Sequence, residues 1–198
     1  ELEGETEWLN NLYEKGKSFL DKPQCLLTKT YHKEWFHRSQ ISDLFAEAVL
    51  DYTQADCTMF NAGIFVDDLK KGYFSSYDMH KILPHPINLC VIELTGTELK
   101  EVYLQAQNEE WPNFALKGLG FRGVVFGKLL TYDFMMNKKR ELMIKGALAD
   151  PQKTYKIATL DLFTFGYFFP NFKYAKKQYI LPDFIRDIFL RYCNENFK

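Results

Sequence analysis

Two short stretches of the sequence combine residue types that phosphate and metal chemistry use. Asp78-Met79-His80 places a carboxylate and an imidazole two residues apart, and the segment from Gly118 to Gly123 matches the pattern G-x-G-x-x-G. A catalytic metal pair needs several more ligands, and the other three histidines follow no ligand spacing. We therefore predict no catalytic residue, metal site or cofactor in this chain. A self-contained phosphatase that uses Asp78 and His80 remains an alternative.

The glycine pattern stands in the wrong context for a dinucleotide site. In dinucleotide-binding folds such a pattern joins a strand to a helix whose N-terminus meets the pyrophosphate. Here strand-like Val124-Val125-Phe126 follows it. We therefore interpret these glycines as loop and strand residues.

The sequence offers no clear nucleophile either. It contains no G-x-S-x-G elbow, and its four cysteines form no C-x-x-C pair. Cys57 and Cys90 lie in apolar runs and are predicted to be small core residues.

Composition limits the class of protein. The chain has 198 residues, of which 46% are hydrophobic and 17% aromatic, enough to build a substantial core. A net charge of -1 gives no overall field that would favour nucleic acid or an anionic membrane. No stretch approaches the ~20 apolar residues of a membrane span. We expect neither nucleic acid nor a membrane as a partner.

Helical patterns alternate with strand patterns along the whole length. Helices are predicted over about Thr6 to Leu20, from Ser39, from Thr95 with Glu98 as a capping box, and at the C-terminus with Pro182 in the first helical position. Strands are predicted at Gln24–Tyr31, Cys57–Asn61, Asn88–Leu94, within Phe121–Phe134 with a bend at Gly127, at Met143-Ile144 and at Tyr155–Leu160. The expected fold class is α+β, a layered domain with a mixed β-sheet covered by helices. Residues 1–22 are predicted to be a linker or N-terminal helix, and 23–198 the domain.

An ordered set of short motifs carries a resemblance to a known family. The motifs are Ala55-Asp56 before a short strand, Asn61-Ala62-Gly63, Gly72 before a short helix, Pro84-His85-Pro86-Ile87-Asn88, Glu93-Leu94-Thr95-Gly96-Thr97-Glu98-Leu99 and Tyr155-Lys156-Ile157-Ala158-Thr159. Their order and spacing, over about Ser39 to Gly166, resemble the C-terminal domain of bacterial 5'-nucleotidases. The P-H-P-I-N turn indicates a divergent subfamily.

The resemblance implies a division of labour between two domains. In that family an N-terminal metallophosphoesterase domain holds a divalent metal pair and the catalytic residues, and the C-terminal domain grips the nucleotide. The base lies between two aromatic rings, and arginines hold the sugar-phosphate side. Stacking a base on an aromatic ring is worth about 1–3 kcal/mol. The expected partners are thus a nucleotide or related phosphoester and the N-terminal domain. Location stays open, with the cytoplasm slightly favoured over an extracytoplasmic compartment.

Transfer of the family pattern gives six candidate substrate-binding residues. Asn61 matches the asparagine of the family's N-G-G-I-R, but Phe65 stands where its arginine is expected. His85 occupies the place of a stacking phenylalanine, and Asn88 matches the asparagine of the same turn after one extra residue.

The remaining candidates come from two later segments. Arg122 is predicted to replace the lost cation, and Phe163 or Phe165 to supply a second stacking ring. We expect His85, Asn88, Arg122 and one of these rings to face a shared cleft. Plainer structural roles stay open: a core position for the phenylalanines, turn stabilisation for Asn61 and a surface ion pair for Arg122. The alternative function is a structural or interaction domain that has lost nucleotide binding.

Overall fold

The computed structural model describes residues 2–197. The strands are β1 (Pro23–Leu27), β2 (Cys57–Asn61), β3 (Gly72–Ser75), β4 (Asn88–Thr95), β5 (Leu129–Tyr132), β6 (Phe134–Met136), β7 (Leu142–Ile144), β8 (Ala147–Leu148), β9 (Thr154–Leu160) and β10 (Lys176–Phe184). The helices are α1 (Leu2–Leu20), α2 (Gln40–Thr53), α3 (Ser76–Ile82), α4 (Gly96–Ala106), α5 (Pro170–Tyr174) and α6 (Ile185–Asn196). Short 3-10 turns occupy Ala62–Ile64, Trp111–Asn113 and Asp161–Phe165.

Five strands form the central sheet in the order β10-β4-β9-β2-β5. β2 and β9 are parallel, and the other neighbouring pairs are antiparallel. β1 pairs with β3, and β6, β7 and β8 form a third small sheet. The predicted fold class, a mixed sheet flanked by helices, is confirmed.

The helix predicted from Ser39 is α2, and its start is set by local hydrogen bonds. The Ser39 hydroxyl accepts the Ser42 N–H, and the Ser42 hydroxyl accepts the Ser39 N–H at 2.8 Å. This reciprocal cap satisfies two backbone donors that a helix start leaves free. Ile41, Phe45 and Val49 then lie on one buried face.

The C-terminal helix begins later than predicted. Pro182 lies in β10, and α6 starts at Ile185. β10 is an edge strand, and its pairing with β4 is interrupted between Tyr179 and Phe184. Proline is tolerated there because an edge position does not require its missing N–H. The placement of Pro182 at the first helical position was therefore wrong.

The segment predicted as strand-rich between Phe121 and Phe134 is irregular in its first half. β5 and β6 fill only Leu129–Tyr132 and Phe134–Met136, and the chain bends at Gly127, whose φ is +74°. A Cβ atom at Gly127 would lie 2.8 Å from the Trp35 carbonyl oxygen, so this bend needs glycine.

The N-terminal segment is helical, as α1, and it carries several exposed apolar side chains. Trp8, Leu9, Leu12 and Tyr13 are each more than half exposed. The Tyr13 hydroxyl contacts that of Tyr77 at the start of α3. The role of α1 as a linker stays a prediction. Within residues 2–197, no helix is both long and apolar enough to span a bilayer.

Candidate functional site

All five strands of the central sheet have a terminus at the same end of the sheet, which we treat as the edge that runs across the strands. Parallel β2 and β9 finish there, at Asn61 and Leu160, while β4 begins there at Asn88. Phe184, the last residue of β10, pairs with Asn88, and Leu129, the first of β5, pairs with Asn61. We call the segments that connect these ends the converging edge: residues 61–65, 84–88, 114–128, 161–165 and 183–186. All six predicted substrate-binding residues lie in it.

Asn61 is a buried residue that ties two segments of the converging edge together. Its side chain is 0% exposed, and its Nδ2 donates to the Phe126 carbonyl oxygen at 2.8 Å. Its Oδ1 is buried without a hydrogen-bond partner. The neighbouring Gly63 also donates to the Phe126 carbonyl, at 2.9 Å. A Cβ atom on Gly63 would lie 1.9 Å from the Val125 carbonyl oxygen, so the backbones of these segments touch.

Phe65, at the position where the resemblance places an arginine, lies in the core. Its ring is 0% exposed and meets Phe45 edge-on, with ring centroids 5.5 Å apart. The guanidinium expected here by resemblance is replaced by packing.

His85 joins three segments of the converging edge through its ring. Nε2 lies 2.8 Å from the Ile64 carbonyl oxygen, and Nδ1 lies 2.8 Å from the Arg122 backbone nitrogen. Because a carbonyl accepts and an N–H donates, the ring is neutral with its proton on Nε2. The ring also stacks on Phe121, with centroids 5.1 Å apart and planes 3° from parallel.

Burial explains why this imidazole stays neutral. It lowers the pKa of His85 from 6.5 to about 4; the Ile64 carbonyl raises it, and the Arg186 and Arg122 charges lower it. The side chain is 0% exposed, and both ring nitrogens have protein partners. His85 therefore positions the Arg122 backbone. In this conformation its ring is not open to the direct ligand contact that was predicted.

Asn88 connects three strands at their ends. Its Nδ2 donates to the Asp183 carbonyl oxygen at 2.8 Å, and its backbone N–H donates to Asp161 Oδ2 at 3.2 Å. Burial raises the pKa of Asp161, although the hydrogen bond from Asn88 lowers it. Asn88 is only partly buried, so its carboxamide lies at the boundary between core and solvent.

The two candidate phenylalanines have opposite environments. Phe163 is 0% exposed and packs against Phe168, Phe169 and Phe126, at centroid distances of 5.3, 5.7 and 6.2 Å. Phe165, two residues later in the same 3-10 turn, is 52% exposed. Of the two, only Phe165 offers a ring to a ligand in this conformation.

Arg122 is exposed beside the glycine-rich segment. Gly118 and Phe121 form an isolated bridge, and Gly120 has a φ of +79° with the Pro86 carbonyl oxygen 2.8 Å from where a Cβ would lie. No helix follows, so these glycines are loop residues that let the Arg122 segment approach the turn before β4. Of the six candidate residues, Arg122 and Phe165 are thus the two that are exposed.

A shared open cleft for these residues stays a prediction. A cavity of about 490 Å³ lies elsewhere, beside α2 and α6, and is lined by Lys29, Asp43, Glu47 and Tyr192 among others. The converging edge itself is filled by a layer of aromatic rings.

Asp78 and His80 have structural surroundings. Asp78 Oδ2 accepts the Ser75 backbone N–H at 3.1 Å and the Ser75 hydroxyl at 2.8 Å, which caps α3. Burial lowers the pKa of His80. Among the side chains from Thr6 to Phe197, no three of His, Cys, Asp or Glu cluster as metal ligands would. This pair does not fit a metal pair, because Asp78 already serves the helix cap.

Sequence reasoning missed Arg186. Its Nη1 donates to the His85 carbonyl oxygen at 3.1 Å, and its guanidinium lies 4.7 Å from the Phe184 ring centroid. The contact joins residues 101 positions apart, and it depends on where β10 ends and α6 begins. Since the helix was predicted to start at Pro182, no sequence signal placed Arg186 at this edge.

Comparison with known proteins assigns this architecture. A family model described as "5'-nucleotidase, C-terminal domain" matches residues 20–173. The chain belongs to the 5'-nucleotidase C-terminal domain family. The family's sequence motifs thus lie on β2, the turn before β4, the start of α4 and β9.

Relatives and solved structures agree with that assignment. The chain is 34% identical over 191 residues to the uncharacterized metallophosphoesterase YunD of Bacillus subtilis, covering 91% of this chain and 41% of that protein. It is 27% identical over 128 residues to protein UshA of Escherichia coli, covering 64% of this chain and 22% of UshA. The fold is similar to that of a 5'-nucleotidase precursor from Thermus thermophilus, with a TM-score of 0.74 and 17% identity, covering 97% of this chain and 40% of that one. The chain therefore spans about two fifths or less of the relatives it matches.

Proposed function

We propose that this domain recognises a nucleotide or related phosphoester for a metal-dependent phosphoester hydrolase. The observation that carries the proposal is that an exposed ring, Phe165, and an exposed cation, Arg122, both lie in segments of the converging edge in a 5'-nucleotidase-family domain. The divalent metal pair and the catalytic residues would belong to a separate N-terminal metallophosphoesterase domain. The match covers 41% of YunD and 22% of UshA, and the remaining length of each protein leaves room for such a domain.

Some side chains of the converging edge would contact the ligand, and others hold those side chains in place. Phe165 would stack on the base, and Arg122 would meet the sugar-phosphate side. His85 holds the Arg122 backbone, and Phe163 packs beneath the turn that carries Phe165. Asn61 Oδ1, buried and without a protein partner, is an acceptor for an ordered water and supports the edge from within.

Titration with AMP and adenosine tests the proposal. We expect AMP to bind the chain with a change in tryptophan fluorescence, since Trp111 packs on Phe168 and Phe169 next to the turn of Phe165. Phe165→Ala should weaken binding about tenfold, the value of one stacked base. Tyr73→Ala is the matched control, because Tyr73 is a 75% exposed ring on β3, in a different sheet. Absence of AMP binding, or equal affinity of Phe165→Ala and the parent chain, would refute the proposal.

A structural or interaction domain that has lost nucleotide binding is the second candidate. The burial of His85 and Phe163, together with phenylalanine at position 65, favours it. It predicts no response to AMP or adenosine. It also predicts that Phe165→Ala, introduced into a protein that carries the metallophosphoesterase domain, leaves phosphoester turnover unchanged.

A further inference from the structure

Four large apolar side chains of α1 lie exposed on one side of the helix. Trp8, Leu9 and Leu12 are 63%, 56% and 56% exposed, and Phe19 is 73% exposed. With 3.6 residues per turn, these four positions fall within an arc of about 100°. A helix of this kind is stabilised chiefly by burying its apolar face, and a contiguous exposed patch of apolar side chains marks an interaction surface. The pattern of α1 therefore requires a partner surface.

Another side of α1 is already attached to its own domain. The Tyr13 hydroxyl contacts the Tyr77 hydroxyl on α3, and Lys17 Nζ lies 5.9 Å from the centroid of the Tyr77 ring. Just after the helix, Asp21 Oδ1 accepts the Ser75 hydroxyl at 3.2 Å. These contacts fix the orientation of α1 on the domain. The apolar face is consequently held outward as a surface of defined position.

Gly16 leaves a notch in the apolar face. It lies one turn from both Leu12 and Phe19, within the arc that these side chains occupy. A Cβ atom added at Gly16 would have no neighbour within 4 Å. Glycine weakens a helix interior, and no positive φ requires it at this position. An open glycine does allow a bulky side chain from outside to approach the helix backbone.

The charges of α1 are segregated along its length. From Glu1 to Tyr13 the sequence has four glutamates and no lysine or arginine, a formal charge of -4. From Glu14 to Lys22 it has three lysines against two acids, a formal charge of +1. Two copies of α1 packed in parallel would place their acidic halves together. An antiparallel pair instead places the acidic half of one copy beside the basic half of the other, which is the favourable arrangement.

We propose that a second copy of this chain covers the apolar face of α1, with the two helices packed antiparallel about a two-fold axis. Placing Leu12 on the axis brings Trp8 of each copy against Gly16 of the other, because both lie four residues from Leu12. A two-fold contact of this kind is self-complementary and closed. The rings of Trp8 and Phe19 in both copies contribute at most about 1,000 Å² of buried surface, the size of a weak, reversible dimer. Dimerisation does not depend on nucleotide recognition.

Sedimentation equilibrium of the chain over a range of concentrations is the first test. We expect the mass to rise from 23.4 kDa towards twice that value at micromolar concentrations. Trp8→Ser should weaken dimerisation more than tenfold, as for a central tryptophan of an interface. Tyr174→Ser is the matched control, because Tyr174 is an 85% exposed ring on α5. A chain that stays monomeric would overturn the proposal, as would equal dimerisation of Trp8→Ser and the parent chain.

Gly16→Gln separates packing between copies from the stability of the helix itself. Glutamine is a better helix former than glycine, so this variant should increase the helical signal in circular dichroism. It should nevertheless weaken dimerisation at least tenfold, because its side chain fills the notch that receives Trp8. Unchanged or tighter dimerisation of Gly16→Gln would contradict the proposal.

Disulfide cross-linking with oxidised glutathione tests the direction of the pair. Leu12→Cys should link the two copies, because residue 12 meets itself at the two-fold axis. Gly16→Cys is the control on the same face: in an antiparallel pair its two copies lie about 12 Å apart along the helices, too far for a disulfide. The four native cysteines are buried and should not interfere. Efficient linkage through Gly16→Cys, or none through Leu12→Cys, would overturn the antiparallel arrangement.

Discussion

The two ends of the central sheet satisfy their polar groups differently. At the end where α4 begins, Thr95 and Glu98 cap each other, and the Gly96 and Thr97 N–H groups donate to the carbonyls of Lys153 and Pro151. At the converging edge, two buried polar atoms, Asn61 Oδ1 and Arg186 Nε, have no protein partner. A buried polar group without a partner costs about 1–3 kcal/mol. An ordered water or a ligand that completes the bonding would remove this cost, as the proposed binding role of the converging edge requires. Gln105 Oε1 on α4 and Asn194 Oδ1 on α6 are also buried without a partner, so unpaired atoms alone do not mark a site.

The largest expected effect comes from removing the buried ring of the converging edge. Phe163→Ala should lower the free energy of unfolding by about 3–5 kcal/mol, because it leaves a cavity among Phe126, Phe168 and Phe169. Urea unfolding measures this. Phe165→Ala, which removes a half-exposed ring from the same turn, should change stability by no more than about 0.5 kcal/mol. Similar losses for both variants would contradict the division between supporting and contacting rings.

Acid should weaken the converging edge through His85. The folded state holds this ring neutral down to a pKa of about 4, whereas the unfolded chain titrates near 6.5. Its contribution is therefore complete above about pH 6.5 and is lost as the pH falls, since the unfolded state then binds more protons. The loss should reach about 2 kcal/mol at pH 5. The measurement is the difference in unfolding free energy between the parent chain and His85→Gln at pH 7 and pH 5.

That difference should shrink as the pH falls. His80, whose pKa burial also lowers, is present in both proteins and so largely cancels. A difference independent of pH would mean that His85 is not held neutral by the fold.

Of the three expected losses of stability, the smallest belongs to the α4 end. Thr95→Ala removes the side-chain cap of α4 and should cost about 1 kcal/mol, while Thr95→Ser should keep most of it. Thermal unfolding measures the loss. Affinity for AMP should be the same as in the parent chain, because Thr95 lies at the far end of β4 from Asn88. A change in affinity would show that the two ends of the sheet are coupled.

Elements with local signals were predictable from the sequence. The capping boxes at Ser39 and Thr95 and the apolar faces behind them set the starts of α2 and α4, since these interactions span three or four residues. The prediction of a helix start at Pro182 was wrong because the deciding interaction is not local. Proline fits the first turn of a helix and an edge strand equally well, and only the pairing of β10 with β4 decides between them.

The sequence indicated that the candidate residues lie at one end of the sheet, but not which of their side chains are exposed. Motif order brought all six residues to one edge, because β2, β4 and β9 are neighbours. Whether Phe163 or Phe165 faces solvent depends on the side from which Phe126 and Phe168 approach, and sequence spacing within a 3-10 turn does not encode that. His85 is likewise buried by contacts with Ile64 and Phe121, which come from segments distant in sequence.

The junction between β10 and α6 contains no loop residue. Phe184 ends the strand, Ile185 begins the helix, and the Ile185 N–H is bonded to the Ile87 carbonyl at 2.9 Å. A hinge requires residues whose dihedral angles are free to change, and this junction has none to spare. Displacement of the Arg186 backbone would therefore carry the whole of α6 with it, out to the contact of Tyr192 with Glu47 on α2. The last helix is thus held at its start by β4 and further along by α2, with no free residue at the strand end where it could pivot.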